Sequence, residues 1–193
     1  MNQFFSETTR HLDSSDDLAI VLPRVARSIV PELADFCLVF LERDGVVACA
    51  AAAHVSADGE RLLRRLNRVY KITRDDPIST VASVLRSGRP RLRAEITSEV
   101  EAPFAHLAVF TLHRRLGTRS ALVVPIGASP NVVGAISLCF AESGRRYSAQ
   151  DVPPARRLAN QVAAFLRGRT RESGAPLPLT AAGRRSVPLR ARV

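Results

Sequence analysis

The chain has no tryptophan, one methionine, one lysine and three cysteines among its 193 residues. None of the cysteines, Cys37, Cys49 and Cys139, belongs to a Cys-x-x-Cys pair or to a Cys/His cluster with zinc spacing. The sequence therefore predicts neither a disulfide framework nor a structural zinc site. An odd number of cysteines without a secretory signal favours a reducing compartment.

Long apolar runs are also missing. The longest, residues 46–53, is far shorter than the ~20 residues that a membrane-spanning helix needs. Residues 1–15 are polar and lack the apolar centre of a signal peptide. We expect a soluble, cytoplasmic protein that has no membrane partner.

The motifs of common enzymes are absent. Ser79, Ser120 and Ser137 do not lie in a Gly-x-Ser-x-Gly elbow, and no glycine-rich phosphate loop is present. His106 and His113 are too far apart on one predicted helix for the i, i+4 pairing of a metal-binding helix. The sequence predicts no catalytic residues and no metal site.

The net charge of +10 is concentrated near the C-terminus. From Arg167 onward there are seven arginines and one acid, Glu172. We expect a disordered Arg/Pro-rich tail over residues 169–193, one domain over residues 15–168, and a short N-terminal segment over residues 1–14. The tail has no aromatic side chains for base stacking, which leaves only sequence-independent attraction to phosphates, so a nucleic-acid partner is a lesser alternative.

Apolar spacing predicts alternating helices and hairpins. The predicted helices cover residues 16–30, 56–70, 78–85, 104–112 and 152–167, and the predicted strands cover residues 35–42, 46–55, 89–94, 119–126 and 132–141. Asp44-Gly45 predicts a tight hairpin between the first two strands. Pro23 is expected to kink the first helix or delay its start, whereas Ser56 and the pair Ser148 and Asp151 are expected to cap later helices.

The resulting fold class is α/β, of the α+β type, with a central antiparallel sheet. The first and last helices, the terminal helices, cover one face, and the middle helices cover the other. We expect the bulkier alternate residues of each strand, such as Phe36 and Leu138, to face the terminal helices, where they bury more apolar area. The lighter residues then line a pocket under the middle helices. The predicted pocket residues are Cys37, Val39, Ala52, His54, Leu85, Leu107, Ser120, Ser137 and Cys139.

Five segments together resemble a GAF domain of the bacterial signalling type, over about residues 15–168. The segments are VPELADFC (30–37), VLRSGRPRL (84–92), LGTRSALVVPI (116–126), GAISLCF (134–140) and RRLANQVAAFL (156–166). The resemblance implies a sensory or regulatory module with a small-molecule pocket beside the sheet and a homodimer formed through the terminal helices. The signatures of members that bind cyclic nucleotides or bilins are absent. The resemblance thus implies an unidentified ligand or a protein partner, with output through a separate effector such as a kinase or phosphatase.

The roles of His54 and of the cysteines stay open. His54 is either a structural histidine or a group that binds a ligand or a haem. Cys37 and Cys139 are either apolar core residues or a reactive pair, since free methionine-sulfoxide reductases are GAF proteins that use pocket cysteines. The cysteines of those reductases lie in loops, whereas all three here lie in predicted strands, so we expect a protein that is not an enzyme and carries no cofactor of known identity.

Overall fold

The computed structural model describes residues 2–13, 17–69, 72–97, 111 and 114–173. Within these ranges the helices are Asn2–Asp13 (α1), Leu18–Ile29 (α2), Ala57–Val69 (α3), Thr80–Ser87 (α4) and Val152–Ser173 (α5). The strands are Phe36–Arg43 (β1), Val46–His54 (β2), Ile72–Thr73 (β3), Arg91–Arg93 (β4), Ser120–Ile126 (β5) and Gly134–Phe140 (β6). The helix predicted over residues 104–112 and the tail residues 174–193 lie outside the described residues.

The six strands form one antiparallel sheet in the order β3-β2-β1-β6-β5-β4. The β1–β2 hairpin turns through Asp44 (φ 53°) and Gly45 (φ 77°), the two left-handed residues that a type I′ turn requires. β1 and β6 pair at the centre of the sheet, from Phe36 opposite Cys139 to Leu41 opposite Gly134. The predicted fold class and the Asp44-Gly45 hairpin are confirmed, and the strands predicted over residues 119–126 and 132–141 pair as a second hairpin.

Helices α2 and α5 cover one face of the sheet, here called the terminal-helix face. Helix α2 begins at Leu18, where the Asp17 carboxylate accepts a hydrogen bond from Ala19 N (2.8 Å). Pro23 lies inside the helix, so the predicted delay of its start is wrong. The apolar stripes of both helices are buried within this one chain. They comprise Leu18, Val21, Leu22, Val25, Ala26 and Ile29 of α2, and Ala155, Leu158, Ala159, Val162, Ala163 and Leu166 of α5.

Helix α1 was not predicted, because residues 1–14 have few apolar positions. Phe5, Thr8 and Leu12 are spaced by three and four residues and are buried against the neighbouring helices. The Gln161 side chain of α5 donates to Thr9 Oγ1 (2.9 Å), and the Arg157 guanidinium lies 4.5 Å from the centre of the Phe5 ring. Helix α1 therefore adds a third helix to the terminal-helix side.

Helices α3 and α4 cover the opposite face, here called the middle-helix face. Leu63 of α3 and Leu85 of α4 are buried against the sheet. Ser79 caps α4 by accepting a hydrogen bond from Ala82 N (3.2 Å), and Gly88 ends the helix in the left-handed conformation (φ 62°). The Asp76 carboxylate caps the preceding turn, since it accepts hydrogen bonds from Ile78 N and Ser79 N.

Helix α5 begins behind the predicted capping box, which is confirmed: Ser148 and Asp151 cap each other's backbone N–H groups. The helix continues to Ser173, beyond the end at Arg167 that its apolar stripe predicts.

Candidate functional site

The predicted pocket residues divide between the two faces of the sheet. Ala52, His54, Leu85, Ser137 and Cys139 lie on the middle-helix face, as expected. Leu107 lies outside the described residues.

Cys37 and Val39 are on the wrong face for the predicted pocket. They belong to the core under the terminal helices, while Phe36, Leu38 and Phe40 face the middle helices. The Cys37 thiol donates to Ala26 O of α2 (3.4 Å), so small residues on both elements let the helix approach the strand closely. Close approach outweighs side-chain bulk here, and the bulky residues of β1 fill the space under α3 and α4.

Ser120 is also on the terminal-helix face, with Leu122, Val124 and Ile126 of the same strand. Its hydroxyl donates to Arg93 O (3.0 Å) and accepts from Tyr147 N (2.9 Å). It therefore joins β4, β5 and the segment before α5, and both of these bonds are to the backbone.

A bulge in β2 keeps Ala52 and His54 on the middle-helix face. Val39 pairs with Ala51 but Phe40 pairs with Cys49, which leaves Ala50 as the extra residue. The alternation of β2 is reversed at this point, so that Cys49 lies on the same side as Ala52. Strict two-residue counting along the strand would have missed this reversal.

His54 ends β2 and is 3% exposed. Its ring stacks on Phe36, with 5.5 Å between ring centres and 10° between planes. Nδ1 accepts a hydrogen bond from Ser56 N (2.9 Å), and burial lowers the pKa of the imidazole below its usual value. The ring is therefore neutral at pH 7 and carries its proton on Nε2.

The turn after His54 packs closely against the imidazole ring and hydrogen-bonds to it. The predicted cap Ser56 is confirmed, since its hydroxyl accepts from Gly59 N (3.2 Å) at the start of α3. The Ser56 hydroxyl also lies 3.2 Å from His54 Nδ1 and donates to Glu142 Oε1 (3.4 Å). A Cβ atom at Gly59 would overlap the imidazole, so glycine is needed there to let helix and ring meet.

Ser137 and Cys139 place two further polar atoms on the same face, with Ser137 Oγ and Cys139 Sγ 3.8 Å apart. Burial raises the pKa of the Cys139 thiol to about 12 and raises that of Cys37 as well. Both groups are neutral thiols at pH 7. A nucleophilic cysteine requires a thiolate, which these surroundings disfavour.

The sequence did not predict a cluster of polar contacts beside α5, formed by Asp35, Ser143, Arg145 and Tyr147 and here called the clasp. The buried Asp35 carboxylate accepts hydrogen bonds from Ala141 N (2.7 Å), Ser143 N (2.9 Å) and Ser143 Oγ (2.8 Å). Burial alone would raise the pKa of Asp35, but these hydrogen bonds and the charge of Arg145 outweigh it and hold that pKa below its usual value. Beside these contacts, Tyr147 OH donates a hydrogen bond to Leu33 O (2.7 Å). An acidic residue directly before an apolar strand was the only signal in the sequence.

A cleft of about 260 Å³ adjoins this clasp, between Leu33, Phe140, Arg145 and Tyr147. The Arg145 guanidinium lies over Phe140, 4.2 Å from the ring centre, and donates to Glu32 O, Pro31 O and Ser143 Oγ. The Arg145 donors are therefore already used by the protein.

Among the described residues, no group of three or more His, Cys, Asp and Glu side chains could hold a metal ion. In the same part of the chain, no helix combines the length and the apolar character needed to cross a membrane.

The fold recurs in solved structures of low sequence identity. The GAF domain of a phosphoenolpyruvate-protein phosphotransferase from Coxiella burnetii is 17% identical, with a TM-score of 0.65 over 90% of this chain and 95% of that one. The corresponding domain from Acinetobacter is 14% identical, with a TM-score of 0.66 over 90% and 96%. The second GAF domain of DevS from Mycobacterium smegmatis is 19% identical, with a TM-score of 0.55 over 82% and 100%.

No curated protein matches the chain significantly in sequence. One sequence family does: the profile described as GAF domain matches residues 15–167, which include the whole sheet, all its connections and most of α5. The chain belongs to the GAF domain family.

Proposed function

We propose that the chain is a sensory or regulatory domain of bacterial signal transduction that binds a small molecule on the middle-helix face of its sheet. The observation that carries this proposal is the chemistry of that face. The neutral polar groups of His54, Ser137 and Cys139 are buried there among apolar side chains. A few polar groups among apolar ones are typical of sites that bind small ligands.

The relatives of similar fold support the sensory part of the proposal. They include domains of a phosphotransferase, of a methyl-accepting chemotaxis protein and of DevS. We extend the proposal to an output that passes to a separate effector such as a kinase or phosphatase.

Thermal unfolding of the full chain with a panel of nucleotides, amino acids and tetrapyrroles tests the ligand. A compound that binds only the folded state at 100 times its Kd adds about 2.7 kcal/mol of stability. We expect the shift in Tm to be lost in Ser137→Leu, which fills the face, and kept in Ala164→Leu on the exposed side of α5. An active compound whose shift survives Ser137→Leu would place the site elsewhere and overturn the proposal.

We also propose that the domain is not an enzyme of the cysteine-dependent reductase type. The support is the burial of Cys37 and Cys139, since Cys49 alone of the three is partly exposed. Titration with a thiol reagent should modify one cysteine per folded chain and three after unfolding. Rapid modification of Cys139 in the folded chain would instead favour a cysteine-dependent reductase.

We still propose a homodimer, but through a different surface from the apolar stripes on which the prediction was based. The stripes on residues 16–30 and 152–167 that motivated it are used inside one chain. We propose instead a shallow concavity of about 590 Å³ on the outer side of α5, lined by Pro153, Arg156, Asn160 and Ala164 among others. Sedimentation of Ala164→Glu against the unchanged chain tests it: a dimer that uses this surface dissociates in the variant, and one that persists uses another.

A further inference from the structure

Among the described residues, β4 is the last strand of the sheet, and it carries arginines on one side. Arg91 and Arg93 are exposed, and Leu92 between them contacts the terminal-helix core. Because successive strand residues point to opposite faces, the two arginines lie on the middle-helix face. Arg91 Nε donates to Ser83 Oγ of α4 (3.3 Å), which agrees with this placement.

More positive charge surrounds this pair. Arg93 lies opposite Ala121 of β5, so the exposed Arg119, two residues earlier in the chain, is a diagonal neighbour. The described residues between 86 and 119 contain seven exposed arginines and one acid, Glu95. The arginines are Arg86, Arg89, Arg91, Arg93, Arg114, Arg115 and Arg119.

Three arginines elsewhere in the fold show what local compensation of this charge looks like. Arg27 and Arg64 both form ion pairs with Glu60, and Arg74 forms one with Glu42. Within the described ranges, neither Arg91 nor Arg93 has an acidic side chain within ion-pair distance. The β4 edge therefore presents positive charge that the described part of the chain leaves uncompensated.

We propose that the β4 edge, defined by Arg91, Leu92 and Arg93, binds an extended acidic segment of a partner protein. The segment adds to the sheet as a further strand. The outer side of an edge strand offers backbone N–H and C=O groups for such an addition. Arginines two residues apart match a partner strand in which acids alternate with other residues, because both strands share the two-residue period. Each guanidinium can then hold a carboxylate through two parallel hydrogen bonds.

The composition of the edge favours a protein over a nucleic acid. Sequence-tolerant binding of single strands relies on aromatic side chains against which bases stack. The described residues 86–97 and 114–119 contain no aromatic residue. Charge also governs selectivity, because a second copy of this edge would bring arginine against arginine and be repelled.

Fluorescence anisotropy with a labelled synthetic peptide, in which glutamate alternates with threonine, tests the proposal on the full chain. Reversing both charges with Arg91→Glu and Arg93→Glu should weaken binding by about tenfold or more, since attraction across the strands becomes repulsion. The matched control combines Arg65→Glu and Arg156→Glu, two exposed arginines of α3 and α5. It makes the same change in net charge and should alter binding by less than about threefold.

Two further probes separate strand addition from other causes. The same peptide with alternate backbone amides N-methylated keeps its charge but cannot pair as a strand, so it should bind about tenfold more weakly. Equal binding of the methylated peptide would mean that charge alone acts, and the proposal would fail. A single-stranded oligothymidine that bound more tightly, with the same dependence on Arg91 and Arg93, would identify a nucleic-acid surface and overturn it as well.

Discussion

The two faces of the sheet are both buried but are built differently. On the terminal-helix face, α1, α2 and α5 from the two ends of the chain close over aliphatic side chains such as Val124, Ile136 and Leu138. On the middle-helix face, α3 and α4 cover aromatic rings together with the polar groups of His54 and Ser137. The described core of the terminal-helix face is largely aliphatic, whereas the middle-helix face also buries the neutral polar groups on which the proposed ligand site rests. The two sides of one layer therefore differ in the polarity of what they bury.

The largest effect should come from truncating the core of the terminal-helix face. Leu158 of α5 is completely buried there, and Leu158→Ala removes its contacts and leaves a cavity. We expect the free energy of unfolding to fall by about 3 kcal/mol. Urea denaturation measures it, with the exposed Asn160→Ala as a control that should change it by less than about 0.5 kcal/mol. A loss as small as that of the control would mean that α5 is not part of the core.

A smaller loss in the free energy of unfolding is expected at Asp35, whose carboxylate holds together the clasp beside α5. Asp35→Asn keeps the shape but removes the charge that accepts three hydrogen bonds, at a cost of about 2 kcal/mol at pH 7. The folded pKa lies below the unfolded value of about 3.9. The stabilisation from this carboxylate is therefore complete above pH ~5 and is lost as the pH falls through the folded pKa.

Denaturation between pH 3 and pH 7 checks the sign of this effect. The gap in stability between the unchanged chain and Asp35→Asn should narrow toward low pH. Asp44→Asn, in the exposed hairpin turn, serves as the control and should give only a small gap at pH 7. A gap that widened in acid would contradict the lowered pKa of Asp35.

The smallest effect concerns the fit between α3 and His54 on the middle-helix face. Gly59→Ala should destabilise the fold by about 1 kcal/mol, because overpacking against the ring outweighs the better helix propensity of alanine. In a His54→Ala background the same change should be neutral or stabilising, and the double-mutant cycle measures this coupling. Gly168→Ala in α5, where a Cβ meets nothing within 4 Å, is the matched control and should stabilise. If the two substitutions changed the free energy of unfolding additively, the close contact between residue 59 and the His54 ring would be contradicted.

Local signals in the sequence predicted most of the elements, except α1 and β3, but they could not orient every strand. Asp44-Gly45 and the capping pair of Ser148 and Asp151 act over a few residues, so their outcome is readable without tertiary structure. In β1 both alternate sets are apolar and both are buried, from Phe36 to Leu41. Alternation then carries no information about which set meets which helix, and the choice depends on how closely α2 approaches.

The candidate site was predicted in part for the same reason. The placement of Ser137 and Cys139 could be predicted because the two alternate sets of β6 differ in size. One set is bulky, and the set that contains Ser137 and Cys139 is small. His54 and Ala52 keep their side because a bulge at Ala50 reverses the alternation of β2, and no residue pattern announces that bulge. The clasp around Asp35 joins segments distant in the chain, which a reading of local spacing cannot connect.

The central pairing of β1 with β6 determines when the fold can be completed. Each hairpin forms from neighbouring residues, but the seam between them joins Phe36 to Cys139 and closes a loop of about a hundred residues. During synthesis the first hairpin emerges long before its partner, with the inner edge of β1 unpaired. Closure of this seam should therefore limit the folding rate, because its contacts are the most distant in the sheet.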